Sequence, residues 1–143
     1  MENIQLTFCT FNMNGFDRNK EFLSHLCESN SNMICGIQEH WLKPPRKKHL
    51  GTNILRRTHD HYEGFGSSAM TSKMAGGVLN SRPFGGSGIL YDKALAKSVK
   101  PLTQYSHERV SVLELQSVET SLLVFSVYFP YYNHNKIDEC TQG

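Results

Sequence analysis

Thr10-Phe11-Asn12-Met13-Asn14-Gly15 closes one apolar stretch of this chain, and Ile37-Gln38-Glu39 closes the next. Residues two apart in a strand share a face, so Ile4, Leu6, Phe8 and Thr10 align with Asn12, while Cys35 and Ile37 align with Glu39. Each strand therefore runs apolar and ends polar. A carboxylate at one tip, beside an amide and a glycine turn at the other, is the donor set that a hard metal ion and a phosphate ester need, because such ions take oxygen ligands and keep several waters. The two tips read as the mouth of an active site.

Working outward, Asp17 can cap a helix that runs to about Ser29 and buries a stripe of Phe22, Leu23, Leu26 and Cys27. The polar Ser29-Asn30-Ser31-Asn32 ends it, and Met33 to Glu39 is the second strand. Strand, helix and strand at this spacing form a crossover unit with parallel strands. Residues 40 to 57 read as loop with a short helix around Leu50 to Leu55, and Tyr62 to Gly66 as a short strand before a long exposed loop to Pro83. Gly88 to Asp92 is a further strand, and Val99 to Leu102 another. Arg109 to Ser117 and Leu122 to Phe129 form a hairpin around Val118-Glu119-Thr120-Ser121. Leu122-Leu123-Val124-Phe125 is apolar on both faces, the pattern of a central strand.

The 143 residues fit one domain of the usual size, about 100 to 200 residues. With 38% hydrophobic and 20% charged residues, the composition is that of a soluble globular chain rather than a disordered or collagen-like one. The net charge of +2, with seven histidines that gain charge in acid, is a weak pull toward a polyanionic partner. No apolar run approaches the length of a membrane span, and the N-terminus has no basic leader followed by an apolar stretch. An intracellular protein of nucleus or cytoplasm is expected, neither secreted nor membrane-bound. Of the cysteines, Cys9, Cys27 and Cys35 lie inside apolar patterns and read as buried thiols; Cys140 lies in the polar tail. Neither His25-x-Cys27 nor His59-x-His61 has a matching second pair at metal spacing, so no structural zinc is expected.

Four segments, in this order, carry a family resemblance: Thr10 to Gly15, Gly36 to Trp41, Gly85 to Tyr91 and Ser126 to Pro130. The chain resembles the endonuclease/exonuclease/phosphatase superfamily, which includes exonuclease III, apurinic endonucleases and DNase I. Arg82-Pro83-Phe84-Gly85-Gly86-Ser87-Gly88-Ile89-Leu90 and Val127-Tyr128-Phe129-Pro130 look most like its non-LTR retrotransposon branch. The resemblance implies an α/β fold, the N-terminal half of a four-layer α/β/β/α sandwich of DNase I type with a mixed, mostly antiparallel sheet. It implies magnesium, with manganese as a substitute, and DNA as the substrate of the parent domain. Relatives also carry Gly-Asp-x-Asn and Ser-Asp-His segments that do not occur here. Residues 1 to 143 are thus expected to form a partial domain, little active alone because base, second Asn and His would come from the other half.

By the same resemblance, Glu39 is the magnesium ligand, and a single carboxylate suits an ion that binds through one or two carboxylates plus substrate oxygens. Asn12 would orient a catalytic Asp, although Asn12 before Asn14-Gly15 is also an ordinary Asx turn. Asn14 stands where some relatives have a metal-associated Asp and is placed with the substrate contacts. Tyr128 would donate its hydroxyl to charge growing on the scissile phosphate. Arg109 matches a position that touches backbone phosphate, and could equally pair with Glu108. Trp41 could stack on a base or join the core. Ser87, between Gly86 and Gly88, is no nucleophile, since it precedes a strand and lacks the strand-to-helix turn of an elbow. The segment Arg46 to Arg57, five Lys or Arg in twelve positions, would track a phosphate backbone.

Two other functions fit the same residues. A non-catalytic remnant would bind nucleic acid through Arg46 to Arg57, and another branch of the superfamily would hydrolyse inositol or lipid phosphates. The wording of Arg82 to Ile89 argues against the latter.

Overall fold

The computed structural model describes residues 3–44, 55 and 58–129. The first three elements form the expected crossover: β1 (Thr7–Asn12), α1 (Phe16–Ser29) and β2 (Met33–Gln38), with β1 and β2 parallel and Thr7 opposite Met33. β3 (Tyr62–Ser67) and β6 (Ser87–Asp92) complete a four-stranded sheet in the order β1-β2-β6-β3, in which β6 is antiparallel to both neighbours. Between them the long loop carries a small hairpin, β4 (Met74–Ala75) and β5 (Val78–Leu79). A second sheet in the order β7-β8-β9 follows, built from β7 (Val99–Pro101), β8 (Val110–Gln116) and β9 (Ser121–Val127), antiparallel throughout. The chain is therefore α/β with mostly antiparallel sheets and one helix among the described residues.

The alternation of β2 explains how the layers stack. Met33, Cys35 and Ile37 face α1 and pack with Leu23, Cys27 and Leu90. Ile34, on the opposite face, packs with Phe65, Ile89 and Leu113 against the second sheet. A strand covered on both sides has no solvent face, which is why its sequence is a near-continuous apolar run. The buried thiols sit in the helix-side layer, where burial pushes Cys27 up to about 12 and Cys35 above the usual thiol range, so neither is a reactive thiolate.

Several expectations shift. β1 begins at Thr7 rather than residue 4, since β2 supplies its first partner at Met33, and Ile4 lies exposed. Asp17 lies in the first turn of α1 rather than at its cap, which is Gly15. Phe22 is exposed on α1, its ring against Phe11. The short helix around Leu50 to Leu55 and the basic segment Arg46 to Arg57 fall outside the described residues apart from Leu55, which is buried in the helix-side core.

The largest correction concerns β9. Its run of apolar residues on both faces reads as a central strand, yet β9 is the edge of its sheet among the described residues. Val124 and Ser126 point inward, while Leu123, Phe125 and Val127 are exposed on the other face, and Phe129 beyond them is 84% exposed. Beside β9 runs β1, likewise an edge among the described residues, and the two edges border a groove of about 490 Å³ lined by Phe8, Gly36, Gln38, Phe125 and Ser126. Unpaired edges with exposed aromatic side chains invite pairing. The isolated chain is expected to self-associate at micromolar concentration, and Phe125→Lys with Phe129→Lys to suppress it; a sedimentation profile of pure monomer for the unmodified chain would contradict this.

Candidate active site

The two strand tips lie side by side because parallel pairing puts Asn12 opposite Gln38. Beyond them the main chain leaves the sheet in a ribbon laced on both sides. Met13, Gly15 and Phe16 donate their N–H groups to the carbonyls of Gln38, Glu39 and His40 (2.8, 2.9 and 2.8 Å). On the other side, the N–H groups of Glu39 and Trp41 bond the carbonyls of Gly86 and Gly85 (2.9 and 3.1 Å). The N–H groups of the Gly15 cap and of Phe16, the first residue of α1, thus find main-chain acceptors, and no side chain caps the helix.

This lacing forces three non-glycine residues into the left-handed region: Asn14 (φ 46°), Glu39 (φ 52°) and Trp41 (φ 59°). Such conformations cost about 1–3 kcal/mol each and persist only where surroundings over-determine them. The strand parity consequently stops at Gln38. Glu39 does not continue the face of Cys35 and Ile37; its carboxylate lies on the side of the second sheet, where Tyr128 Oη donates to Oε1 at 3.0 Å. Tyr128 itself follows β9, and its N–H bonds the carbonyl of Arg109 (2.8 Å).

Glu39, Tyr128, Asn12 and Arg109 are thereby carried to one end of the two packed sheets by β1, β2, β8 and β9. Asn12 forms the Asx turn that its sequence allows, its Oδ1 accepting from the Asn14 N–H at 3.1 Å. Both Asn12 and Asn14 are exposed, whereas Glu39 and Tyr128 are half-buried. Burial raises the Tyr128 hydroxyl above its usual pKa, and the Glu39 carboxylate adds to the shift, so the phenol is a donor at neutral pH. Arg109 is exposed and its Nε lies 3.9 Å from Glu108 Oε1, a loose surface pair worth little by itself.

Beneath the tips, a buried polar stitch joins the sheets. Gln38 Nε2 donates to Ser126 Oγ (2.9 Å), and that hydroxyl donates to the Ile37 carbonyl (3.2 Å). Gln38 Nε2 also lies 3.1 Å from Thr10 Oγ1. A second stitch joins the buried Ser87 and Ser111 hydroxyls (2.9 Å), with Ser87 donating to the His107 carbonyl. Trp41 is partly buried, its ring over Gly15 and 5.5 Å from the Arg18 guanidinium. Gly15 is left-handed, and any side chain there would strike that ring.

His40 is the residue of this region that the sequence gives no reason to single out. It is completely buried. The Leu42 N–H donates to Nδ1 (2.9 Å), so the proton sits on Nε2, which donates to the Ser67 carbonyl (3.0 Å). The ring packs against Gly86, whose φ of 97° and missing side chain make the contact possible. The Gly85-Gly86 pair was the available signal, since paired glycines beside a strand mark a close approach. Burial lowers the His40 pKa below the usual histidine value. An unfolded chain then binds the proton more readily, so the contribution of His40 to stability is complete above about pH 6.5 and is lost as pH falls toward the lowered folded value. Stability measured in urea is expected to drop between about pH 7 and 5, and His40→Gln to flatten that drop.

Could the tips hold a metal? Among the described residues no three His, Cys, Asp or Glu side chains come together as a metal-binding group. Glu39 and the Tyr128 hydroxyl instead offer oxygens with one carboxylate, which suits magnesium bound largely through water and phosphate and does not suit zinc. Elsewhere, His59 Nε2 lies 2.8 Å from Glu28 Oε2 and holds that carboxyl below its usual range. Compared with known proteins, the chain matches no family model and no curated sequence. No helix of the described residues is long and apolar enough to cross a membrane.

Proposed function

We propose that this chain carries the metal- and phosphate-binding side of a magnesium-dependent phosphodiesterase that cleaves DNA, of the endonuclease/exonuclease/phosphatase type. The observation that supports it is the 3.0 Å hydrogen bond between Tyr128 and Glu39. These residues stand 89 positions apart and follow strands of different sheets, and an independent sequence segment points to each. The shared mouth of Asn12, Glu39, Tyr128 and Arg109 agrees with that reading.

In this reading Glu39, with waters, holds magnesium or manganese, and the ion when bound neutralises charge on the phosphate and the leaving oxygen. The remaining work belongs to the chain. Tyr128 has one hydroxyl proton, which it gives to Glu39 in the structure; with DNA bound it turns to a phosphoryl oxygen and stabilises the charge that grows there. Arg109 contacts a neighbouring backbone phosphate through a charge-assisted hydrogen bond. Asn12, with its Oδ1 engaged by Asn14, keeps its amide N–H groups to orient a carboxylate, and Asn14 lies beside it for the substrate. The water-activating base is expected from a Gly-Asp-x-Asn segment outside these residues. The edges that β1 and β9 form among the described residues are where such a half would extend both sheets into a four-layer sandwich.

Binding of a labelled DNA duplex tests this reading. The expected result is affinity that rises on adding Mg²⁺, is lost in Glu39→Ala and is competed by unlabelled DNA but not by inositol phosphates. Salt-sensitive binding unchanged by metal and by Glu39→Ala would favour a non-catalytic nucleic-acid binder instead.

A further inference from the structure

Glu39 is held in a left-handed conformation at the end of a strand, and something must make that conformation the only one available. Its own main chain supplies two bonds, from its N–H to Gly86 and from Gly15 to its carbonyl. These fix Glu39 only if the Gly15 and Gly86 turns are themselves held at the right separation. The residue that spans them is His40.

Each part of His40 is engaged. Its carbonyl accepts from Phe16 at the start of α1, its Nε2–H reaches the carbonyl of Ser67 at the end of β3, and its Nδ1 accepts from Leu42. Its ring covers the Gly86 backbone so closely that no side chain fits between them. One buried residue therefore ties the beginning of the helix through its carbonyl, and through its ring the end of β3 and the turn that receives the Glu39 N–H. An aliphatic residue of similar volume would fill the space but leave the Ser67 carbonyl and the Leu42 N–H without partners, and buried polar groups rarely go unpaired.

We propose that His40 is a positioning residue: it sets the left-handed turn that aims the Glu39 carboxylate at Tyr128 and at the metal. This rests on the reading of Glu39 as a metal ligand. Residues that orient a ligand from behind commonly govern metal affinity about 10- to 100-fold.

The test uses the full chain and Mn²⁺ alone. Trp41, the single tryptophan, neighbours the turn and reports Mn²⁺ by quenching. In His40→Leu the Mn²⁺ dissociation constant is expected to rise about tenfold. Amide exchange of Glu39 and Trp41 is expected to accelerate while the β8–β9 ladder stays protected. His40→Gln, whose amide can still donate to Ser67, is expected to recover part of both effects and serves if His40→Leu does not fold. Mn²⁺ affinity within twofold of wild type in folded variants would overturn the role of His40 alone. Faster exchange spread evenly over all strands would reduce His40 to a general structural residue and also overturn it. A wild-type chain that binds no Mn²⁺ would overturn the metal reading of Glu39, and the role of His40 with it.

Discussion

Replacing Glu39 with Gln is expected to weaken Mn²⁺ binding by at least about tenfold while leaving the fold intact. The substitution is chosen for what it keeps. A glutamine carbonyl still accepts the Tyr128 hydroxyl, so the 3.0 Å bond between the sheets survives, and the side-chain volume is unchanged. What it removes is the negative charge, the only feature of the side chain that a hard cation needs and a tyrosine does not. A tenfold loss corresponds to about 1.4 kcal/mol of binding energy. Stability, by contrast, is expected to stay within about 0.5 kcal/mol, because a half-buried polar replacement that keeps its partner touches none of the mechanisms behind large losses. Calorimetric Mn²⁺ titration beside urea unfolding separates the two quantities. Equal Mn²⁺ affinity in both proteins would remove Glu39 from the metal site, and Tyr128 would then be bonded to it for structure alone.

The second large effect is expected at Gly86. An alanine there faces two penalties with one cause. Its φ of 97° lies where a side chain is disfavoured, and the added carbon would overlap the fully buried His40 ring. His40 cannot withdraw without giving up its bonds to Ser67 and Leu42. Backbone strain of about 1–3 kcal/mol combined with overpacking of similar size gives a loss of about 3 kcal/mol or more. Gly76 is the internal control. It is also left-handed, at φ 58°, but nothing lies within 4 Å of where its side chain would be. Gly76→Ala is expected to cost only about 1 kcal/mol, the backbone term by itself. Urea midpoints of the two variants make the comparison, and equal losses would show that the His40 ring yields.

The site was legible to the extent that it is local. Asn12 and Glu39 end apolar runs, and period-two alternation brings β1 and β2 to the same end once the helix between them makes the strands parallel. Tyr128 was placed by resemblance, and the fold puts its hydroxyl on Glu39. His40 was not legible, since a histidine after a strand has no pattern of its own. Its role depends on Ser67 and Gly86, which lie 27 and 46 positions away and meet it only in the folded chain. β9 misled for a related reason: an apolar run on both faces does not say whether a strand has a neighbour along each edge, and only the strand order shows that, among the described residues, β9 has one.

By itself the sequence determined the periodicities. The repeats of two and 3.6 residues decided which segments are strands and which is the helix. The spacing of the first three decided that β1 and β2 run parallel, because each of these depends on neighbours a few bonds away. The tertiary structure alone decided which strands are edges, where Glu39 points once its backbone turns left-handed, and that a buried histidine holds that turn. Those outcomes depend on hydrogen bonds and steric contacts between segments far apart in the chain, and no local pattern encodes them.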